Sequence, residues 1–349
     1  MKVRADSWCR YNETNFIVSF PRNHDSLLKV CANIFHDTLM CVFSPRTIVV
    51  AVGLLVSVTA CSSAPTTRES ETTNTEVPTT TIGPASSGDT SLNAFVPDGF
   101  SSLVTSDGRT RSYKVVDLSN GDEEVPVVFM LHGFGGTAGD MGNYTGIETA
   151  LTEAGISAIV VYPNGTGAES GAPQSWNAGG CCPFAMFEPV DDVAFFSSMI
   201  DAVNLDYSTD PDQVWVIGHS NGGMMAYRLA CELSEKVSAI GVAAGALMVD
   251  SCPATRPVNL LHLHGELDSV VPLTGGESLG ITFPSTRDSV DRYANSARCT
   301  RSASDTATRT EFACGSSTVL LVTDPTWTHD WQPDWARRFV EFFVATARA

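Results

Sequence analysis

The sequence predicts an α/β fold in which one domain, residues 93–349, builds a mostly parallel central sheet with helices on both faces. Short apolar runs rich in β-branched residues alternate there with stretches of helical period, and the runs have the length of buried strands. The chain is 43% hydrophobic and 17% charged, which supplies enough apolar side chains for a large core.

The chain before this domain is expected to direct export. An apolar run of fourteen residues, 47–60, follows Arg46 and is shorter than the roughly 20 residues of a membrane-spanning helix. A basic start, an apolar middle and small residues at the cut are typical of a signal peptide. We therefore assign 40–60 as a signal peptide and interpret residues 1–39 as a misassigned gene start ahead of Met40.

The run ends in Val58-Thr59-Ala60-Cys61, which resembles a bacterial lipobox. This resemblance implies that Cys61 carries a lipid and becomes the mature N-terminus. An ordinary signal peptide or an uncleaved anchor is the alternative. The chain would then be lipid-anchored outside the cytoplasm or secreted, and the lipid would be its sole attachment to the membrane.

Residues 62–92 are rich in Ser, Thr and Pro and show no helical or strand period, so we expect a disordered linker. The formal net charge of −18 argues against nucleic acid as a partner. A monomer is expected.

The predicted elements alternate along the domain. Strands are expected at 125–131, 156–162, 213–217, 238–244, 258–264 and 318–322, and helices at 140–153, 191–204, 222–233, 285–297 and 333–347. Asp191 and Asp192 open the second helix and are expected to cap it and to favour its dipole. Right-handed crossovers bring the carboxyl ends of all parallel strands to one edge, where such sheets bind ligands.

The segment 218–222, Gly-His-Ser-Asn-Gly, has the pattern G-x-S-x-G directly after the strand 213–217 and before a helical run. Its glycines permit the tight turn of a nucleophile elbow, which lifts the hydroxyl of Ser220 clear of the sheet edge. A glycine-rich turn that merely exposes a serine is the alternative.

The base and the acid follow by elimination. Of the seven histidines, only His329 lies on a loop after the last predicted strand, beyond every other candidate. Asp268 follows the strand 258–264 and is the preferred acid, with Glu266 as the alternative. The order Ser220, Asp268, His329 is that of α/β-hydrolases.

A second glycine-rich turn, 132–136 (HGFGG), follows the strand 125–131. Glycines there let the backbone approach a substrate closely. We assign the backbone N–H groups of Phe134 and Asn221 to an oxyanion hole.

These segments, together with HGFGGTA, YPNGTG, SWNAGGCC, DDVAFF, MMAYRLACE and HGELDSVVP, resemble the secreted polyhydroxybutyrate depolymerase and feruloyl esterase-like family of α/β-hydrolases, here in a lipoprotein form. The resemblance runs from about residue 112 to 329. It implies the α/β-hydrolase fold with a single catalytic domain and the triad Ser220, Asp268 and His329. It also implies ester substrates, either short-chain polyhydroxyalkanoates or hydroxycinnamate esters. We expect no cofactor and no metal. The glycines that usually precede the family's histidine are lost here, but Trp331 is kept two residues after it.

The segment 164–190 is too long for a plain connection, and long loops in compact domains tend to be functional. We expect Trp176 on this loop, Trp331 and His219 to contact the substrate. The alternative is a disulfide-stapled cap that packs on its own core.

Six cysteines follow Cys61, as expected in an oxidising compartment. Cys299 and Cys314 flank a short segment and are expected to pair, as the family resemblance also suggests. The other four allow three connectivities, with the adjacent Cys181 and Cys182 expected to bond to different partners.

Three other functions are alternatives. A metallohydrolase would use His262, His264 and Asp268, but the expected further ligands do not follow. A non-catalytic surface lipoprotein on the same fold, or an acetylxylan or other short-chain esterase, remains an alternative.

Overall fold

The computed structural model describes residues 7–10, 17–20, 40–41, 99–121, 124–188, 190–302 and 305–347. The chain divides into two units, Met1–Gly88 and Asp89–Ala349. In the first, β1 (Ser7–Arg10) pairs antiparallel with both β2 (Ile17–Phe20) and β3 (Met40–Cys41). The predicted signal peptide beyond Cys41, the lipid site Cys61 and the linker 62–92 lie outside the described residues.

A ten-stranded sheet is the centre of the second unit. Its strands are β4 (Ser101–Val104), β5 (Thr110–Asp117), β6 (Val125–Leu131), β7 (Ile159–Pro163), β8 (Thr209–His219), β9 (Ala239–Ala243), β10 (Asn259–Gly265), β13 (Thr300–Arg301), β14 (Arg309–Cys314) and β15 (Ser317–Asp324), with a separate hairpin of β11 (Gly276–Ser278) and β12 (Ile281–Phe283). The ten strands of the sheet lie side by side in the order β13-β14-β15-β10-β9-β8-β6-β7-β5-β4. The six strands from β15 to β7 are parallel and correspond to the six predicted strands.

Antiparallel strands extend the sheet at both ends, with β5 and β4 beside β7 and with β14 and β13 beside β15. The sequence did not predict them. Their residues are partly exposed and include charged side chains, as in β5 (TRSYKVVD), so they lack the apolar run that marks the central strands.

Six helices accompany the sheet among the described residues: α1 (Ala138–Thr145), α2 (Ile147–Glu153), α3 (Asp192–Asp206), α4 (Asn221–Glu232), α5 (Thr286–Ser296) and α6 (Trp335–Thr346). The predicted helix 140–153 is two helices. Gly146 separates them with a left-handed φ of 66°, and its N–H donates to the carbonyl of Gly142 at 3.0 Å. Such a glycine ends a helix without the steric cost of a Cβ.

Two hydrophobic cores lie on the two faces of the sheet. Val127, Phe129 and Leu131 of β6 join the core that includes α3, α4 and α5. Val128 and Met130, which alternate with them, join the core that includes α1, α2 and α6. Because both faces are covered, the central strands are apolar along their whole length, and the predicted fold class is confirmed. Within the described part of the chain, no helix has the length and apolar character needed to cross a membrane.

Candidate active site

Ser220 lies at the sharp turn between β8 and α4. Its backbone has φ 54° and ψ −120°, a conformation that residues with a side chain rarely adopt. Its N–H donates to the carbonyl of Ala243 at 2.8 Å, which ties the turn to β9. A Cβ on Gly218 would overlap the backbone of Gly222, and one on Gly222 would come within 2.5 Å of the Leu131 carbonyl oxygen. Both glycines are therefore required by the close packing around the serine.

The side chains of Ser220, His329 and Asp268 form a continuous line of hydrogen bonds. Oγ of Ser220 lies 3.0 Å from Nε2 of His329, and Nδ1 of His329 lies 2.8 Å from Oδ2 of Asp268. A carboxylate only accepts, so Nδ1 carries the proton, and Nε2 of the neutral ring accepts from the serine hydroxyl. The structure thus brings together the three residues that the sequence singles out.

The buried Asp268 carboxylate accepts three hydrogen bonds. Oδ1 accepts from the N–H groups of Val270, at 2.9 Å, and Val271, at 2.8 Å. Oδ2 accepts from His329 and also lies 3.3 Å from Nε2 of His264. Burial alone would raise the pKa of Asp268, but the neighbouring N–H groups of His264 and His329 hold that pKa well below its usual range. The carboxylate is therefore ionised at neutral pH.

Neither of two alternative assignments has suitable geometry. Glu266 is exposed, and its nearest hydrogen-bond partner is the Thr323 hydroxyl at 3.5 Å. The metallohydrolase set fails because His262 and His264 bond to each other, Nε2 to Nδ1, at 3.1 Å. Within the described ranges, no three His, Cys, Asp or Glu side chains are grouped to hold a metal ion.

The loop after β6 makes a tight turn over residues 133–136. The N–H of Gly136 donates to the carbonyl of Gly133 at 3.1 Å, and Gly135 has φ 82°. In a β-turn with positive φ at its third residue, the hydrogen bond joins the first and fourth residues, here Gly133 and Gly136. The N–H of the second residue, Phe134, takes no part in that bond. That N–H makes no hydrogen bond within the described residues. It is available to a ligand.

This turn approaches the serine closely. A Cβ on Gly133 would lie 3.3 Å from Cβ of Ser220. Asn221 is the first residue of α4, and the first N–H groups of a helix have no acceptor within it. Phe134 and Asn221 therefore offer backbone donors on two segments that meet near Ser220.

His132, to which the sequence assigned no role, holds the turn in place. Its Nδ1–H donates to the carbonyl of Gly133 at 2.8 Å, and its Nε2 accepts from the N–H of Gly165 at 2.9 Å. Burial lowers the pKa of His132 to about 4, so the ring is neutral, as its acceptor nitrogen requires. A histidine at the buried end of an apolar strand, directly before a glycine turn, is the signal that could have identified it.

Trp176 does not have the exposed position that a substrate contact requires, and this prediction is corrected. The ring has no exposed surface and packs against Phe196 at 5.4 Å between ring centroids. The side chain of Asn221 binds its backbone twice, accepting from the N–H at 2.8 Å and donating to the carbonyl at 3.1 Å. This part of the loop 164–190 therefore packs as a cap on the core. The same amide fixes the start of α4.

The predicted substrate contact of His219 is also corrected. Its ring is only 8% exposed and packs beside His329. Its Nε2–H donates to the backbone carbonyl of His329 at 2.7 Å. The ring packs on Tyr144 and His329, at 5.6 and 5.1 Å between centroids. Burial lowers the pKa of His219 to about 4. It is a positioning residue for His329.

Trp331 lies at the rim of the site and is half-buried. Its backbone N–H donates to the Tyr144 hydroxyl at 3.1 Å, and its ring packs on His219, Tyr144 and Trp335. The predicted substrate contact of Trp331 stays a prediction.

The two aspartates at the start of α3 differ in role. Asp191 caps the helix by accepting from the N–H of Ala194 at 3.0 Å. Asp192 instead forms a buried ion pair with Arg111 at 2.7 Å and accepts from the N–H of Asn177, also at 2.7 Å. It thereby anchors the loop 164–190 to β5.

The disulfides differ in one respect from the expectation. Cys299 pairs with Cys314, and Cys231 at the end of α4 pairs with Cys252. Cys181 and Cys182 bond to each other and not to different partners. The reason is that Cys231 and Cys252 lie close together, 4.6 Å between Cα atoms, which leaves the adjacent pair without another thiol among the described residues of this domain.

Comparison with known proteins finds a family match and several similar proteins that are named as esterases. A profile of the alpha/beta hydrolase family matches residues 128–348. The putative esterase NocK of Nocardia uniformis subsp. tsuyamanensis is 32% identical over 176 residues, which are 48% of this chain and 48% of that protein. Feruloyl esterase B of Piromyces equi is 30% identical over 190 residues, 52% of this chain and 34% of that protein. The chain spans half or less of the length of these two relatives.

Two solved structures share the fold. The acetyl xylan esterase of Aspergillus awamori superimposes with a TM-score of 0.51 at 15% identity and covers 70% of this chain and 98% of its own. Esterase PE8 superimposes with a TM-score of 0.50 at 17% identity and covers 68% of this chain and 99% of its own.

Proposed function

The chain belongs to the alpha/beta hydrolase family, and on this premise we propose that it is an extracytoplasmic serine carboxylic-ester hydrolase. The line of hydrogen bonds from Ser220 through His329 to Asp268 carries the proposal. Relatives named as esterases support the reaction class.

In the proposed mechanism, Oγ of Ser220 attacks the ester carbonyl carbon while its proton moves to Nε2 of His329. Asp268 stabilises the imidazolium through Nδ1–H. The carbonyl oxygen becomes an oxyanion that accepts from the N–H groups of Phe134 and Asn221, and one such donor contributes about 2.7–4 kcal/mol of transition-state stabilisation. The tetrahedral species then collapses, and the departing alkoxide takes the proton from Nε2. Water repeats these steps on the acyl-enzyme and releases the acid.

The substrate is proposed to be an ester with an aromatic or short acyl group. Phe134 and Tyr144 are 54% and 45% exposed beside the serine and base loops, and Trp331 adds a third ring at this rim. One relative above is named for feruloyl esters and one structure of the same fold for acetyl xylan, and the motif resemblance adds polyhydroxybutyrate. Parallel assays of methyl ferulate, acetylated xylan and soluble hydroxybutyrate oligomers would rank these three.

We further propose that the protein is a monomer, exported and either secreted or held at the membrane by a lipid on Cys61. The six cysteines of the described domain all form disulfides, as is usual for proteins in oxidising compartments. Mass spectrometry of the mature N-terminus tests this: a diacylglyceryl-modified cysteine supports anchoring, and an unmodified N-terminus at another residue contradicts it.

The catalytic proposal is tested with Ser220→Ala and p-nitrophenyl acetate. We expect kcat to fall by several orders of magnitude, because only binding and oxyanion contacts remain. The matched control is Ser102→Ala on the edge strand β4, where the serine is exposed; its kcat should equal that of the wild type. Full hydrolysis by Ser220→Ala would instead refute the proposed role of Ser220. No hydrolysis of any assayed ester by the wild type would favour a non-catalytic lipoprotein.

A further inference from the structure

A row of buried polar side chains lies behind Asp268, between β10 and α4. The hydroxyl of Tyr227 is 2.8 Å from Nδ1 of His262, whose Nε2 is 3.1 Å from Nδ1 of His264. Nε2 of His264 is 2.8 Å from the carbonyl oxygen of Val271 and 3.3 Å from Oδ2 of Asp268. The side chains of Tyr227, His262 and His264 have no exposed surface.

The hydrogen bonds in this row have one direction. The Val271 carbonyl and the Asp268 carboxylate only accept, so Nε2 of His264 carries the proton and its Nδ1 is a lone pair. His262 must then donate from Nε2, and the Tyr227 hydroxyl must donate to its Nδ1. Burial lowers the pKa of His262 well below its ordinary value and raises that of Tyr227, which keeps both groups neutral, as this order requires.

We propose that Tyr227, His262 and His264 are positioning residues whose directed hydrogen-bond chain ends on the Val271 carbonyl and thereby holds the Asp268 carboxylate where Oδ2 receives the Nδ1 proton of His329. The inference rests on the proposed hydrolytic function. Val271 is held at both ends, because its carbonyl accepts from His264 and its N–H donates to Oδ1 of Asp268. Oδ2 also lies 3.3 Å from Nε2 of His264 and 2.8 Å from Nδ1 of His329, so the His264 N–H dipole favours this position of the carboxylate. Successive bonds of one direction also polarise each other.

Packing alone does not account for this row. The same strand and helix fill this layer with apolar side chains such as Leu260 on β10 and Met225 on α4, and an apolar residue needs no hydrogen-bond partner there. Two imidazoles and a phenol can be buried at low cost only when each nitrogen and hydroxyl is satisfied. Here each is satisfied in turn, and the row ends on the carbonyl of Val271, whose N–H binds the carboxylate of the proposed acid.

The first test compares His264→Leu with His264→Gln. Loss of the His264 N–H changes the electrostatic field at Oδ2 and removes the hydrogen bond to the Val271 carbonyl, so the acid limb of kcat/KM should move by about half a pH unit. The kcat of His264→Leu should fall about 10–100-fold with little change in KM, because the carboxylate is misplaced. Gln keeps an N–H donor and should restore much of both. His219 and Asp330, the other titratable groups near His329, are unchanged in all variants. Low-field proton NMR of the Nδ1–H of His329 should shift in His264→Leu and return toward the wild-type position in His264→Gln.

The second test is a double-mutant cycle with Tyr227→Phe. Alone, this change should lower kcat about two- to threefold, because the chain loses its terminal donor. In the His264→Leu background it should have no further effect, since the chain is already cut. The matched control is Tyr293→Phe. This buried tyrosine packs 6.1 Å from Tyr227, and its hydroxyl bonds only to the backbone of Val258; its kcat should match the wild type in both backgrounds.

The outcomes separate this inference from the proposed function. Equal effects of Tyr227→Phe in both backgrounds, or an unmoved acid limb and NMR signal in folded His264→Leu, would mean that the row serves packing alone. If Ser220→Ala retains activity, the hydrolytic proposal fails first. An active wild type with an inactive Ser220→Ala and an unchanged His264→Leu rejects only the positioning role.

Discussion

Replacing Asp268 by Asn tests the assignment of the acid. Three donors bind this carboxylate, the N–H groups of Val270 and Val271 on Oδ1 and the ring N–H of His329 on Oδ2, and Nε2 of His264 lies 3.3 Å from Oδ2. An amide offers one oxygen and one NH₂ group, so the N–H groups on one side of it must face a donor in place of an acceptor. The two backbone donors are fixed by the loop, which favours the amide oxygen on their side and NH₂ toward the histidines.

An NH₂ group at the position of Oδ2 would reverse the tautomer of His329. Nδ1 would become the acceptor and Nε2 would carry the proton, so the ring could no longer take the proton of Ser220. A reversed tautomer in a serine triad costs about 10⁴ in kcat, equivalent to roughly 5.5 kcal/mol of activation free energy. Since binding groups are untouched, KM should change little.

The assay is steady-state hydrolysis of p-nitrophenyl acetate at neutral pH, with circular dichroism to verify folding. Glu266→Gln is the matched control, because this nearby carboxylate is exposed and directed to Thr323; its kcat should equal that of the wild type. A folded Asp268→Asn that retains more than about a tenth of the wild-type kcat would refute the reasoning. A large loss in Glu266→Gln would shift the assignment to that residue.

Two predictions concern stability. Gly218→Ala should destabilise the domain by about 1–3 kcal/mol or prevent folding, because its Cβ would overlap the backbone of Gly222. The control Gly139→Ala, in the exposed first turn of α1, should be neutral or stabilising. The two variants are compared by urea unfolding, and equal unfolding midpoints would contradict the packing argument. The second prediction concerns His132 and His219, whose pKa in the folded protein is near 4 against an ordinary 6.5. The contribution of each neutral ring to the free energy of unfolding is therefore present above pH 6.5 and lost as the pH falls toward 4. Each histidine should lower the free energy of unfolding by about 2 kcal/mol between pH 7 and pH 5, and the same free energy of unfolding at both pH values would contradict this.

The central strands and the order of the site residues were predictable from the sequence because each has a local cause. Strands covered on both faces are apolar throughout, and the carboxyl ends of parallel strands meet at one edge. That edge brings Ser220, Asp268 and His329 within hydrogen-bonding distance although about 50 to 60 positions separate consecutive members. The edge strands β4 and β13 have no such signal, because they are short and exposed.

The orientation of individual rings was not predictable. His219 and Trp176 lie in or beside recognisable motifs, but closeness in sequence to a nucleophile does not determine whether a ring faces the substrate or the core. Their places are set by partners about 45 to 110 positions away, Asn221 for Trp176 and the His329 carbonyl for His219. The pairing of Cys181 with Cys182 depends likewise on where Cys231 meets Cys252.

The buried histidines around the site link its stability to its chemistry. Nε2 of His132 accepts the N–H of Gly165, and a protonated ring would lose that bond and loosen the turn that carries Phe134. Protonation of His219 keeps its donor to the His329 carbonyl but places a cation beside the ring of His329, 5.1 Å away. That ring must itself become cationic in the transition state, so the added charge opposes the reaction. Acid therefore weakens the oxyanion turn and the base together as the pH falls toward about 4, the pKa of both rings.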